Sequence, residues 1–336
     1  MKKIILIFIA ILLFLSSCDA FFQIKEGRVH LIIVALDYSN AKYVSNLIGP
    51  INDAKEIGAC LESHYKRRSI PFDAIYLIAE GPMATEKDEY YPSAENIISV
   101  IDNLHVNKED LLVFYYSGHG ALYDDSESKA YLVTGMTSGI PEGLYQDNNV
   151  LSPSWYQTML GLGFNPSEIS NCLINQNPYT IIPLDTLYKA LDEKDARSVA
   201  IIDSCNSGAM TLLSPPLIST LQEVFKDTFL SEVSYRHLSV ITSSTATQTS
   251  RVISFLNEDK KQERHSLFTS DLLSILGWHH SSTKKTISSQ GLINGYIEES
   301  MSNVSIRDLW YDLENKSSLN QSYTSSFSGL DTILIP

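Results

Sequence analysis

The chain has 336 residues, 44% of them hydrophobic and 10% aromatic, which is enough apolar material for one large α/β domain or two small ones. Its 39 acidic residues against 25 lysines and arginines leave a formal charge of −14. That balance argues against a surface that neutralises phosphate backbones, so no nucleic-acid partner is expected.

At the amino terminus, Lys2 and Lys3 precede IILIFIAILLFL, an apolar run of 12 residues, and then Ser16, Ser17 and Cys18. A membrane-spanning helix needs about 20 apolar residues, whereas a charged start, a short apolar run and small residues suit a secretory signal. The LSSC ending resembles a bacterial lipobox. That likeness implies removal of residues 1–17, a lipid on Cys18, and a tether over 18–27. An ordinary signal peptide cut elsewhere, or an uncleaved anchor, is the alternative. On the lipobox reading the protein is exported and anchored to a bacterial membrane, on its periplasmic or cell-surface side. Loss of residues 1–17 takes away two lysines and no acid, moving the charge to −16.

From Val29 the chain reads VHLIIVALDYS, a run suited to a strand covered on both faces. Pro50 sits where a first helical turn accepts proline, and Ile51, Ala54, Gly58, Leu61 and Tyr65 follow at helical spacing. FDAIYLIA (72–79) reads as a second strand, and Pro92-Ser93 opens a helix with Ile97, Ile98, Ile101 and Leu104 on one face. LLVFYY (111–116) is a third strand and AYLVTG (130–135) a shorter one. Residues 136–180, rich in Gly, Asn, Pro and Ser, read as a surface insertion with a helix near 155–162. Leu184, Leu187, Tyr188 and Leu191 mark the next helix. SVAIID (198–203) and LSVITSS (238–244) are further strands, and SLFTSDLLSIL (266–276) is a helix. Residues 278–303, rich in Ser, Lys and Gly, read as a second loop. Strands alternating with helices predict a mostly parallel sheet flanked by helices, in one domain over 28–336.

Two strand ends carry chemistry. LLVFYY stops at Ser117-Gly118-His119-Gly120, and VAIID stops at Asp203-Ser204-Cys205. In an open α/β sheet, functional groups gather at the carboxyl ends of strands. If the two strands are neighbours, an imidazole and a thiol share one rim, where the imidazole can draw the proton that makes the thiolate nucleophile. Gly118 then permits a sharp turn, and backbone N–H groups at Gly120 and Cys205 can face an oxyanion. Of the four cysteines, Cys60 falls in a helical pattern as a small core residue, and Cys172 is a possible partner for it. No CxxC or His/Cys cluster suggests zinc. His279-His280 fall in a polar loop without a third ligand at suitable spacing, and His30, His64, His105, His237 and His265 lack any comparable constellation.

YYSGHG followed by IIDSCNSG resembles the caspase-like cysteine peptidases, the clan of caspases, metacaspases, clostripain and gingipains. LIGPINDAKEI (47–57), SVITSSTATQTS (239–250), HSLFTSDLL (265–273) and the closing NQSYTSSFSGLDTILIP are similar to further segments of that clan. The resemblance implies a three-layer caspase-like α/β fold with about six core strands and helices on both faces. It also implies a cysteine endopeptidase with Cys205 as nucleophile and His119 as acid and base, acting on protein or peptide substrates without a cofactor. Metacaspase-type members cut after Arg or Lys, and their pocket positions match Asp53, Ser117 and Asp203. Pro50 departs from the cysteine that many metacaspases carry there. Asp124 and Asp125 do not complete the calcium-binding acidic cluster of some members, since the matching later position falls near Leu212, so no required metal is expected. An inactive caspase-like binding module, or a peptidase cutting after Asp, remains as an alternative. Oligomeric state and any activating clip near Lys226 or Arg236 stay open.

Overall fold

A computed structural model of the chain describes residues 27–39, 46–81, 90–122, 130–135, 181–204, 235–243, 252–256, 262–316, 323–327 and 332–335. Cys18, tether residues 19–26, Asp124, Asp125, the 136–180 insertion with Cys172, Cys205, Leu212 and Lys226 lie outside the described residues.

The first half runs β1 (Val29–Leu36), α1 (Pro50–Arg67), β2 (Phe72–Ala79), α2 (Ala94–Asn103), β3 (Leu111–Ser117), β4 (Gly120–Leu122) and β5 (Ala130–Val133). Next come β6 (Ile181–Pro183), α3 (Leu184–Asp192), β7 (Arg197–Asp203), β8 (Leu238–Thr242), β9 (Val252–Leu256), β10 (Gln262–Ser266) and α4 (Leu267–Ile275). The remainder is β11 (Trp278–His279), β12 (Lys285–Ser288), β13 (Gly291–Asn294), β14 (Tyr296–Ile297), β15 (Val304–Ser305), α5 (Ile306–Lys316), β16 (Thr324–Ser326) and β17 (Ile333–Ile335).

Six strands form the central sheet in the order β16-β8-β7-β3-β1-β2. All neighbours pair in parallel except β16, which runs antiparallel along β8 at one edge. β1 lies inside this sheet, and all eight of its residues are buried, because apolar layers cover both faces. Ile32, Val34 and Leu36 point into one core with Ile97 and Ile101 of α2 and Leu184, Leu187 and Leu191 of α3. Leu31, Ile33 and Ala35 point into the other with Ile57 and Leu61 of α1, Phe268 and Leu272 of α4, and Leu309 and Leu313 of α5. The expected three-layer α/β fold is therefore present.

Local chemistry sets the helix ends. Ser93 caps α2 by accepting the Asn96 N–H, and Ser266 caps α4 by accepting the Thr269 N–H. Helix α1 opens on Pro50, with Asp53 in its first turn and His64, Lys66 and Arg67 in its last, in keeping with the helix dipole.

Residues 278–303 depart from the loop expected there. β12 and β13 form an antiparallel hairpin in which Ser288 faces Gly291 across two turn residues, and β11 pairs with β14. Gly291 adopts φ 98°, a conformation open to glycine. The Ser/Lys/Gly composition resembles a loop because one side of this small hairpin faces solvent, with Ile287 and Leu292 exposed. Helix α5 was also not expected from the sequence, although its Ile306, Leu309 and Leu313 are buried at helical spacing. Cys60 is a buried free thiol inside α1, as its helical pattern implied.

Candidate active site

The sheet register brings the two chemically distinctive strand ends together. β3 and β7 are parallel neighbours, with Ser117 opposite Asp203. The Gly118 N–H donates to the Asp203 carbonyl at 3.2 Å, so the ladder extends one step beyond the strands. Gly118-His119 and Ser204 thus leave the same sheet edge from adjacent strands. Cys205 follows Ser204 and lies outside the described residues.

His119 is held by its backbone. Its N–H donates to the Tyr38 hydroxyl at 2.8 Å. Its carbonyl accepts the Val133 N–H at 2.9 Å and is 2.8 Å from the Tyr116 hydroxyl. The Tyr38 ring lies against the imidazole, with centroids 4.7 Å apart. Tyr38 donates to the Val133 carbonyl at 2.6 Å, tying β1, β3 and β5 around the histidine. A Cβ on residue 118 would fall 2.7 Å from the hydroxyls of both Tyr38 and Tyr116. The glycine before the histidine is therefore required by space, whereas the sequence suggested a turn requirement. Gly120 begins β4 and pairs with Leu132.

The segment before the thiol is held from the neighbouring strand. Ser243, just beyond β8, accepts the Ser204 N–H at 3.0 Å and donates to the Ser204 carbonyl at 3.1 Å through one hydroxyl.

All three residues matched to the pocket meet below this rim. Asp53, Ser117 and Asp203 are 1%, 2% and 3% exposed, respectively. Asp53 Oδ1 lies 2.8 Å from His265 Nδ1, and its Oδ2 accepts the Ser266 N–H at 3.2 Å, with the Ser117 hydroxyl at 3.5 Å. Asp203 Oδ2 accepts hydrogen bonds from the Ser266 hydroxyl and, at 2.7 Å, from the Thr269 hydroxyl. The Thr269 hydroxyl also lies 2.7 Å from that of Tyr115. Burial pushes the Asp53 carboxyl up to about 7; the His265 hydrogen bond and charge oppose that shift, and the Asp203 charge adds to it. Tyr115 is held well above the usual phenol range by burial and by the charges of Asp53 and Asp203.

Several of these partners were not singled out in the sequence. Ser266 and Thr269 sit in HSLFTSDLL (265–273), where Ser266 caps α4 and both hydroxyls hold Asp203. Tyr38 follows β1 in ALDYS, where nothing local marks it. The expectation of no constellation does not hold in three dimensions for His265 and His280, whereas His279 stays exposed and outside the group. His265 Nε2 lies 3.8 Å and His280 Nδ1 3.0 Å from the carboxylate of Glu56, one turn along α1 from Asp53. Sequence spacing gave no sign of this, because Glu56 and His265 are more than 200 residues apart.

A family model described as a caspase domain matches residues 28–292. The chain belongs to the caspase-domain family. It is thereby a member of a cysteine peptidase family. This caspase-domain chain is similar to Metacaspase-1 of Debaryomyces hansenii, at 26% identity over 204 residues. The match takes in 60% of this chain and 37% of that protein, so the chain spans well under half of the relative's length. Among solved structures it resembles GSU0716 from Geobacter sulfurreducens, with TM-score 0.49 and 13% identity, covering 92% of this chain and 96% of that one. It also resembles caspase-1 from Spodoptera frugiperda, with TM-score 0.42 and 10% identity, covering 92% and 90%.

Proposed function

We propose that the protein is a cysteine endopeptidase that cuts after Arg or Lys, with Cys205 as nucleophile and His119 as its acid and base. One observation carries the reading: Ser117 stands opposite Asp203, so the strands that lead to His119 and Cys205 are neighbours ending at one edge. In the proposed reaction the imidazole takes the thiol proton, and the thiolate attacks the scissile carbonyl carbon. The N–H groups of Gly120 and Cys205 face the oxyanion. His119 returns its proton to the leaving amine as the C–N bond breaks. It then takes a proton from the water that hydrolyses the thioester, restoring the free thiol and releasing the acid.

The preference for a base draws on Asp53 and Asp203, two buried carboxylates in one cluster. A guanidinium between carboxylates forms charge-assisted, bidentate bonds, whereas a substrate carboxylate there adds a third like charge. An inactive binding module is the second reading. It draws on the burial of both acids and on the bonds they already accept, Asp53 from the Ser266 N–H and Asp203 from the Ser266 and Thr269 hydroxyls.

Fluorogenic peptides ending in Arg, Lys and Asp separate these readings under reducing conditions. The expected outcome is cleavage after Arg or Lys, lost by at least about 1,000-fold in Cys205→Ala and in His119→Ala. Asp203→Asn is expected to lower kcat/KM for Arg peptides about 10- to 100-fold, the scale of one lost charged hydrogen bond. Cleavage after Asp alone would overturn the pocket assignment, and no cleavage of any peptide would favour the binding module.

We further propose that the chain is exported and held to a membrane by lipid on Cys18, with protein or peptide substrates outside the cytoplasm. The Lys2-Lys3 start, the 12-residue apolar run and LSSC support this. Among the described residues no helix is long and apolar enough to cross a membrane. Labelled palmitate is expected to enter the wild-type chain and not Cys18→Ala; equal labelling of both would rule out that anchor.

A further inference from the structure

Beneath the proposed pocket, three chain segments bring metal-ligating atoms together. Glu56 comes from α1, His265 from β10, and His280 from the residue after β11. One donor atom from each lies within 4.8 Å of the others. His280 Nδ1 lies 3.0 Å from Glu56 Oε2, and His265 Nε2 lies 3.8 Å from Glu56 Oε1. Ligands about 2.0–2.1 Å from a tetrahedral zinc stand roughly 3.3 Å apart, so donors that now lie within 4.8 Å of one another must draw closer by side-chain rotation to hold the ion.

The donors are aimed by a second layer of contacts. His265 turns Nδ1 to Asp53 at 2.8 Å, leaving Nε2 as the atom that faces Glu56. This carboxylate–histidine order is the one that fixes the tautomer of a metal-bound imidazole. Trp278 Nε1 donates to Glu56 Oε2 at 3.1 Å and orients that carboxylate. Glu56 and His265 are buried, while the His280 side chain is 26% exposed and gives the group its opening to solvent. Two imidazoles and a carboxylate suit zinc-class dications better than calcium or magnesium, which favour oxygen ligands.

We propose that Glu56, His265 and His280 form a zinc-class cation site with one ligand position left for water. Bound metal would join α1 to β10 and to the residue that follows β11. It would also hold the His265 proton on Nδ1, toward Asp53. The inference rests on this cluster and not on peptidase activity.

Zinc titration by calorimetry tests it on the full-length chain carrying Cys205→Ala, which removes the thiol of the proposed dyad as a competing ligand. One zinc per chain is expected, raising Tm. His280→Ala is expected to weaken it by at least about 100-fold, as loss of a direct ligand should exceed the 10- to 100-fold effect of an outer partner. His279→Ala, at the adjoining last residue of β11 and outside the cluster, serves as the control and should leave binding unchanged. Cobalt in place of zinc should give d–d bands without thiolate charge transfer, which excludes the remaining cysteines. Circular dichroism checks that His280→Ala folds; Glu56→Gln supplies a second ligand variant read the same way. Absence of zinc binding, equal affinity in His280→Ala and its parent, or a thiolate band would each overturn the site.

Discussion

Tyr38 shows how much of the site depends on one residue outside the chemistry. Its hydroxyl accepts the His119 N–H and donates to the Val133 carbonyl, so one phenol ties the histidine backbone to two strands. Tyr38 also adopts φ 58°, an uncommon conformation for a bulky residue that the surrounding contacts must hold. Tyr38→Phe keeps the ring against the imidazole but leaves a part-buried N–H without this acceptor, at a cost of up to about 3 kcal/mol. The expected result is a loss of about tenfold or more in kcat with KM little changed, because the misplaced group acts on the reaction step. Steady-state kinetics on an Arg peptide would show it; unchanged kcat would mean that the His119 backbone needs no such support. Gly118→Ala fails more severely, since its Cβ would sit 2.7 Å from two hydroxyls.

Helix α1 carries more than its pattern of apolar residues suggests. Its buried face includes Asp53, Glu56 and Glu62 alongside Ile57 and Leu61. Glu62 accepts the Tyr76 hydroxyl at 2.8 Å and the Ser289 N–H at 2.9 Å, joining the helix to β2 and to the hairpin turn. Gly58 makes the close approach possible: a Cβ there would lie 2.1 Å from the Tyr76 hydroxyl and 2.9 Å from Ile33 Cδ1. Helix propensity alone favours Gly58→Ala by about 1 kcal/mol. Overpacking costs about 1–3 kcal/mol and displaces the Tyr76–Glu62 bond, so a net loss of stability is expected. Urea unfolding of Gly58→Ala decides between the two effects; a higher midpoint than wild type would show that Tyr76 yields freely.

Across the whole molecule, His64 locks α1 to the carboxyl-terminal half. Its Nε2 donates to the Leu276 carbonyl at 2.9 Å and its Nδ1 accepts the Met301 N–H at 3.2 Å, which defines a neutral ring. Burial lowers its pKa below the usual 6.5, with the Arg67 and Arg68 charges adding and the Leu276 hydrogen bond opposing. A histidine with a lowered folded pKa binds protons more readily when unfolded, so stability falls as pH drops through about 6.5. At lower pH, Asp110 adds to the loss. Burial raises its pKa, but the Asn107 and Arg28 backbone bonds outweigh that and leave it below the usual carboxylate value. Its contribution is present above about 3.8 and disappears as pH falls through the folded value. The raised Asp53 pKa works in the opposite direction, favouring the fold as pH falls from about 7. Unfolding midpoints measured between pH 5 and 7.5 should therefore decline less toward acid in His64→Gln than in wild type; parallel curves would remove His64 from the account.

The layered α/β architecture was legible because fully buried parallel strands and amphipathic helices leave strong local patterns, as VHLIIVAL does. The strand-end motifs likewise marked His119, Asp203 and Ser117 through abrupt changes of composition within a few residues. The hairpins over 278–297 escaped because exposed short strands need little hydrophobic signal. The strand-end motifs also singled out His119 and Cys205 as the imidazole and thiol proposed for the chemistry. Only the tertiary structure decided that Asp53, Ser117 and Asp203 gather, that Tyr38 holds the histidine backbone, and that Glu56 meets His265 and His280. The reason is that such contacts join residues far apart in the chain, where register and helix docking set the distances and neighbouring residues leave no periodic trace.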